Sequence, residues 1–236
     1  MKTAITTAKK TKGAWPADTP RDICAMTWWP SNAEMMYDLV RLGYVDPKRK
    51  IVDLTYGNGI WWKMLREEGH TLKKFVGHDI GIDGVDFRQQ LPHRARSAHT
   101  ITFDPPFVST GGRKTSTLDE FNARYGVLYS EKTPELNQER LINPGITNAA
   151  RILAPDGKLI VKTTNYISSN AYKQSVRWSI EWAESIGLEL HDQLFTAGHV
   201  RAQPGGRRVL HSRNNYSVAL VFVPGKQMRK RPPRSK

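Results

Sequence analysis

Ile51-Val52-Asp53-Leu54-Thr55-Tyr56-Gly57-Asn58-Gly59 is the stretch on which the reading of the fold turns. Ile51 to Thr55 is short, apolar and β-branched, the pattern of a buried strand. Gly57 and Gly59 then let the backbone turn tightly and approach a ligand where a side chain would collide. Ile60 to Glu68 reads as a short helix closed by Gly69. The residues after the glycines exclude two ligand classes. A dinucleotide-binding loop needs a third glycine three residues after Gly59, and Trp62 stands there, too large for close helix-to-strand packing. A phosphate-cradling loop needs Gly-Lys-Ser/Thr, which is absent. Asp79 ends the next expected strand, Lys74 to Ile80, where an acid can accept hydrogen bonds from both hydroxyls of a ribose.

On either side of this unit, strands and helices alternate. Ser31 or Asn32 caps an expected helix through Met35, Met36, Leu39 and Val40 to Gly43. A further strand is expected near Val85 to Phe87, and another from His99 to Phe103. Glu135 to Leu153 reads as a helix kinked or split at Pro144-Gly145. Pro155-Asp156-Gly157 turns into the strand Lys158 to Thr163. Ala171 to Ile186 carries Val176, Ile180, Ala183 and Ile186 on one face and stops at Gly187. Leu188 to Phe195 and Tyr216 to Val223 have no helix between them and are expected to form an antiparallel hairpin. Alternation of this kind implies a mostly parallel sheet covered on both faces. One domain is expected over 23–224, with a basic arm at 1–22 and a basic disordered tail at 225–236.

The chain has 236 residues and a net charge of +14, from 36 Lys and Arg against 22 Asp and Glu. Four lysines lie in residues 1–14 and six Lys or Arg in residues 225–236, with no acid in either stretch. Without those ten the body is only mildly basic. Cationic ends point to a polyanion, because each phosphate contact releases a counterion. No apolar run approaches the ~20 residues of a membrane span, and the first twenty residues lack an apolar signal core, so a cytoplasmic protein is expected. The single cysteine, Cys24, excludes an intramolecular disulfide. The seven histidines are scattered, and no metal site is expected. His78 reads as a strand-end histidine.

Asp104-Pro105-Pro106-Phe107 follows a strand, at the sheet edge where open α/β proteins place their sites. The prolines fix φ and remove backbone donors, leaving a carboxylate beside a fixed carbonyl. Such an acceptor pair suits an exocyclic amine with two N–H donors. Drawing both bonds toward acceptors frees the nitrogen lone pair to attack an electrophile, while Phe107 can stack on the ring.

Asp53-x-x-x-Gly57-x-Gly59 followed by Asp104-Pro105-Pro106-Phe107 resembles the S-adenosylmethionine-dependent amino methyltransferases that modify adenine N6 or cytosine N4 in DNA. Thr27-Trp28-Trp29-Pro30 with its helix, Pro155-Asp156-Gly157 with its strand, and His211-Ser212-Arg213 leading into Tyr216 to Phe222 resemble further family elements, so that the likeness spans about residues 27–223. It implies a Rossmann-like class I methyltransferase fold: three α/β/α layers and a mostly parallel seven-stranded sheet ending in an antiparallel hairpin. It implies S-adenosyl-L-methionine as cofactor, with Thr27, Pro30, Asp53, Tyr56, Gly57, Asn58 and Gly59 at its methionine end, Asp79 at the ribose, Ile80 also among the cofactor-binding residues, and Asp86 or Phe87 near the adenine. Asp104, Pro105, Pro106 and Phe107 would be catalytic, with adenine favoured by the leading Asp. DNA is the expected partner and RNA the alternative. Base contacts are expected from Arg113, Lys114, Asn122 and Arg124 in a long target loop at 108–134, or from His211 and Arg213. Trp61-Trp62 is bulkier than the family pattern at the start of the helix, and no separate target-recognition domain is visible. A ribosomal RNA guanine-N2 methyltransferase is the nearest rival. A non-catalytic DNA-binding protein on the same scaffold is the rival of another class.

Overall fold

Ile51 and Val52 pack on opposite faces of the same strand, and that alternation organises the molecule. The computed structural model describes residues 28–106, 138–168, 171–197 and 215–230. The arm at 1–22, Cys24, Thr27, Phe107, the loop with Arg113, Lys114, Asn122 and Arg124, and also His211 and Arg213 lie outside the described residues.

Helix α1 (Asn32–Arg41) is capped by Ser31, whose hydroxyl accepts from the Glu34 amide and donates to the Glu34 carboxylate. Strand β1 (Lys50–Asp53) leads through the glycine loop to a 3₁₀ turn (Ile60–Trp62) and helix α2 (Lys63–Glu67). Strands β2 (Lys74–Gly77) and β3 (Ala98–Phe103) follow. A π-helical turn (Gln138–Ile142) runs into helix α3 (Asn143–Ile152), with Pro144 in its first turn, where a missing amide costs nothing. Strand β4 (Leu153–Thr163), the short strands β5 (Tyr166–Ser168) and β6 (Ala171–Lys173), helix α4 (Ser175–Ser185), strands β7 (Leu188–Ala197) and β8 (Tyr216–Pro224), and helix α5 (Lys226–Lys230) complete the order.

The main sheet has the order β2-β1-β3-β4-β8-β7, with β2, β1, β3 and β4 parallel and β8 antiparallel to both β4 and β7. Ile51, Ile160, Ala219 and Val221 face a core built with α1 and the 3₁₀ turn. Val52, Ile101, Leu159, Val161, Leu220 and Phe222 face one built with α3 and α4. The chain therefore has the expected three-layer, Rossmann-like α/β fold with an antiparallel hairpin at one end.

Several details differ from the sequence reading. Six strands, not seven, make the main sheet among the described residues. Val85 to Phe87 is no strand, because side chains take its backbone bonds: Asp83 Oδ1 accepts from the Val85 amide, and the Phe87 carbonyl accepts from Asn148 Nδ2. Residues 171–173 begin no helix but pair with 166–168 as a hairpin. Strand β4 starts at Leu153; Leu153 pairs with Ala98 and Lys158 with Thr100, so Pro155-Asp156-Gly157 bulges out of one continuous strand. The expected disordered tail opens instead with α5, whose Met228 and Arg229 carbonyls accept from the Arg96 guanidinium.

Candidate active site

The glycine loop and the Asp104 segment are knitted together by Thr55. Asp53, 4 % exposed, accepts the Thr55 amide on Oδ1 at 3.0 Å. The Thr55 hydroxyl in turn accepts the Asp104 amide at 2.7 Å. The 3₁₀ turn then reaches both acids from one side. Trp62 Nε1 donates to Asp53 Oδ2 at 2.6 Å, and Trp61 Nε1 donates to Asp104 Oδ2 at 3.0 Å. Successive residues of a 3₁₀ turn point about 120° apart, which is what lets neighbours serve different partners. Burial pushes the Asp53 carboxyl up to about 6, against the hydrogen bonds from Trp62 and Thr55.

Asp104 also meets Lys162 of β4, whose Nζ lies 3.5 Å from Oδ2 and which is largely buried. Both donors engage the same oxygen. Oδ1 takes no hydrogen bond among the described residues and remains an acceptor.

Gly57 and Gly59 sit at φ 50° and 66°, in the left-handed region that favours glycine. A Cβ on Gly59 would stand 2.7 Å from the Tyr56 hydroxyl. Arg66 holds that hydroxyl at 2.6 Å and lies over the Tyr56 ring. Asp79 closes the loop: its Oδ2 accepts the Gly57 amide at 3.1 Å and its Oδ1 the Gly81 amide at 2.9 Å.

Behind Asp79 runs a directed relay. His93 Nδ1 lies 3.2 Å from Lys50 Nζ, the two histidines face each other through Nε2 at 2.7 Å, and His78 Nδ1 lies 2.6 Å from Asp83 Oδ2. Burial, with the charges of Lys50 and Arg151 beside it, holds His93 down to about 4. A neutral His93 accepts from Lys50, donates to His78, and leaves His78 donating to Asp83. Asp83 Oδ1 then accepts the Asp79 amide at 3.2 Å. His78 is thus the strand-end histidine expected, and it braces the Asp79 turn.

Tyr56, Gly57, Asn58, Asp79, Ile80, Asp86, Phe87, Asp104 and Pro106 line one cleft at the carboxyl ends of β1, β2 and β3. The structure brings these expected residues together. Pro30, Asp53, Gly59 and Pro105 do not line it; Asn32, two residues beyond Pro30, does. Asp53 lies beneath the floor as the brace just described. Asp86 does line the cleft, but Arg88 grips both its oxygens at 2.7–2.9 Å. Burial works to raise the Asp86 carboxyl, and the Arg88 bonds and charge overcome it, holding the group below the usual range. Phe87 packs edge-on against Phe103, with centroids 4.9 Å apart.

Leu54, Thr55, Ile60, Trp61 and Arg88 line the cleft and were not anticipated. For Trp61 a signal existed: a buried indole N–H needs an acceptor, and acids end the two adjacent strands.

No family model matches the chain, and no curated protein matches it. Solved structures do resemble it in outline. A protein from Thermus thermophilus, provisionally described as a DNA modification methylase, is 10 % identical over 80 % of this chain and 56 % of its own, at a TM-score of 0.39. The chain thus spans about half the length of that protein. A structure of it complexed with S-adenosyl-L-methionine matches at 13 % identity, 64 % and 54 % coverage and a TM-score of 0.41. A protein from Pyrococcus horikoshii is 12 % identical, covering 81 % of this chain and 89 % of its own, at a TM-score of 0.43. A TehB-like SAM-dependent methyltransferase from Corynebacterium glutamicum is 16 % identical, covering 86 % and 92 %, at 0.38.

Proposed function

We propose that this chain is an S-adenosylmethionine-dependent methyltransferase that acts on an exocyclic amine of a nucleic-acid base, with adenine N6 of DNA as target. The observation that carries the reading is Asp104 Oδ1, an acceptor with no protein partner among the described residues, in the same cleft as a glycine loop closed by Asp79.

The donor set fits that cofactor. Asp79 spends one lone pair of each oxygen on Gly57 and Gly81 and keeps others for a diol. Leu54, Ile60, Ile80 and Phe87 offer apolar lining for a flat base, and the Tyr56–Asn58 segment lines the same cleft and can receive the amino-acid end. When bound, the cofactor supplies an electrophilic methyl group on a sulfonium. Asp104 Oδ1 accepts one N–H of the incoming amine. That pairing orients the nitrogen lone pair and offsets the positive charge that grows on it. The Asp104 position is fixed from behind by Thr55, Trp61 and Lys162, so little reorganisation accompanies the reaction.

Calorimetric titration tests the binding half. S-adenosylmethionine should bind the wild type, and Asp79→Ala should weaken it by about 1–3 kcal/mol, the cost of unpaired hydroxyl partners. Equal affinity in the two proteins would refute the Asp79 role.

A further inference from the structure

Four aromatic side chains stand on the side of Asp104 away from the glycine loop. Tyr172 of β6 is 42 % exposed and shares a hydrogen bond with Tyr216, the first residue of β8. The Tyr216 ring lies 6.0 Å from Phe195 of β7, which is 39 % exposed. The backbone beside Phe195 binds Trp29, from Trp29 N to Phe195 O at 2.7 Å, which brings in Trp28, 54 % exposed.

Sheet register sets these rings level with Asp104. Phe103 pairs with Val161, Val161 with Leu220, and Leu220 with Gln193. Asp104 is one residue beyond Phe103 and Phe195 is two beyond Gln193, so both project at the same edge. Three strand spacings of ~4.8 Å separate them, about 15 Å in all. The hairpin with Tyr172 leaves β4 at the same edge, and Thr164 donates to the Tyr216 carbonyl at 2.7 Å.

Tyr172, Phe195 and Trp28 present exposed ring surface, which is costly to leave in water, and the sequence beside them is cationic. Lys173 follows Tyr172, and the segment joining β7 to β8 carries Arg201, Arg207, Arg208 and Arg213 with no acid. Aromatic faces with interleaved cations suit bases that are unstacked from a partner strand, since each base offers a π-face and each phosphate a charge. A duplex hides its base faces and gains nothing from such a row.

We propose that Tyr172, Tyr216, Phe195 and Trp28 form a stacking surface for an unpaired nucleic-acid strand whose target base reaches Asp104. The inference deepens the methyltransferase reading and rests on it, by naming the substrate as single-stranded or locally opened.

The test is fluorescence anisotropy with a labelled single-stranded oligonucleotide, and with the same strand annealed to its complement. Phe195→Leu, Tyr172→Leu and Trp28→Leu keep apolar bulk and remove the π-face. Each should weaken single-strand binding roughly tenfold, the lower part of the range for one stacked base. The salt slope should stay unchanged, because phosphate contacts are untouched. Unchanged affinity in all three variants overturns the proposal, as does tighter binding of the duplex than of the single strand by the wild type. Loss of a wild-type dimer in Phe195→Leu by sedimentation, with oligonucleotide affinity intact, overturns it in favour of a second copy on this surface. Calorimetry with S-adenosylmethionine on the same proteins separates the two readings: a wild type that binds the cofactor while the rings prove irrelevant leaves the methyltransferase reading standing, and a wild type that binds no cofactor removes it.

Discussion

Trp62 donates its indole N–H to the buried carboxylate of Asp53 at 2.6 Å, and the residue before it does the same for Asp104 at 3.0 Å. Trp29 repeats the pairing with Asp38 at 2.8 Å. An indole brings a donor on a large apolar body, so it satisfies a carboxylate without bringing water or a second charge into the core. Trp62→Phe keeps most of the ring and removes the donor. It should cost about 1–3 kcal/mol in urea unfolding, the penalty for a buried acceptor left unpaired. The loss should be larger at pH 7.5 than at pH 4.5, where Asp53 carries a proton and needs the donor less. An equal loss at both pH values would contradict the pairing.

Asp53 and His93 should pull the pH dependence of stability in opposite directions. The folded Asp53 carboxyl is raised to about 6, so the folded chain binds that proton more readily than the unfolded one. Its contribution therefore falls as pH rises from about 4 to about 6, by roughly 3 kcal/mol at ~1.4 kcal/mol per unit. His93 is held down to about 4, so the folded chain binds its proton less readily. Its contribution is complete above about 6.5 and is lost as pH falls toward 4. In urea melts across this window, Asp53→Asn should steepen the rise of stability with pH and His93→Gln should flatten it. Identical slopes in the two variants would be the contrary outcome.

Gly77 ends β2 against the Tyr56 ring, and a Cβ there would lie 2.7 Å from Tyr56 Cγ. The ring is held by Arg66 and Phe75 and cannot step aside freely. Gly77→Ala should therefore cost about 1–3 kcal/mol of stability as overpacking. It should also weaken S-adenosylmethionine binding, because Tyr56 opens the glycine loop. Wild-type affinity in a calorimetric titration would show that the loop does not depend on this contact.

Trp61 and Lys162 act on Asp104 and need not touch the amine, which makes them positioning residues. Trp61→Phe and Lys162→Met should each lower kcat roughly tenfold or more, as small misplacements of a reacting group do. Lys162→Arg should recover part of the loss, since it returns a cation to the same oxygen. Lys162→Met should bind the cofactor as the wild type does, because Lys162 does not line the cleft. A loss in KM alone, with kcat unchanged, would contradict a positioning role.

Much of this was legible in the chain itself. The strand, glycine loop and following turn from Ile51 to Trp62 appear where the apolar pattern and the two glycines place them, because both signals are local. Asp79 and Asp104 fall in one cleft because each lies just past the carboxyl end of a parallel strand of the same sheet. Which acid each indole would meet was not legible, since Trp61 and Trp62 read as bulk and their acids come from strands that only folding brings near. Val85 to Phe87 has strand composition, yet the side chains of Asp83 and Asn148 take its backbone bonds. Residues 171–173 continue a helical pattern, yet they pair with 166–168, a choice that depends on where β4 releases the chain.

The most direct measurement is the fate of a labelled methyl group. Wild type and Asp104→Ala are incubated with methyl-labelled S-adenosylmethionine and single-stranded DNA, duplex DNA or ribosomal RNA, and the nucleosides are then separated. The expected result is label on adenine N6 of DNA with the wild type and none with Asp104→Ala, while both proteins bind the cofactor with similar affinity. Cofactor binding without label in any nucleic acid, or equal labelling by Asp104→Ala, would contradict the assignment of Asp104 as the acceptor for the target amine.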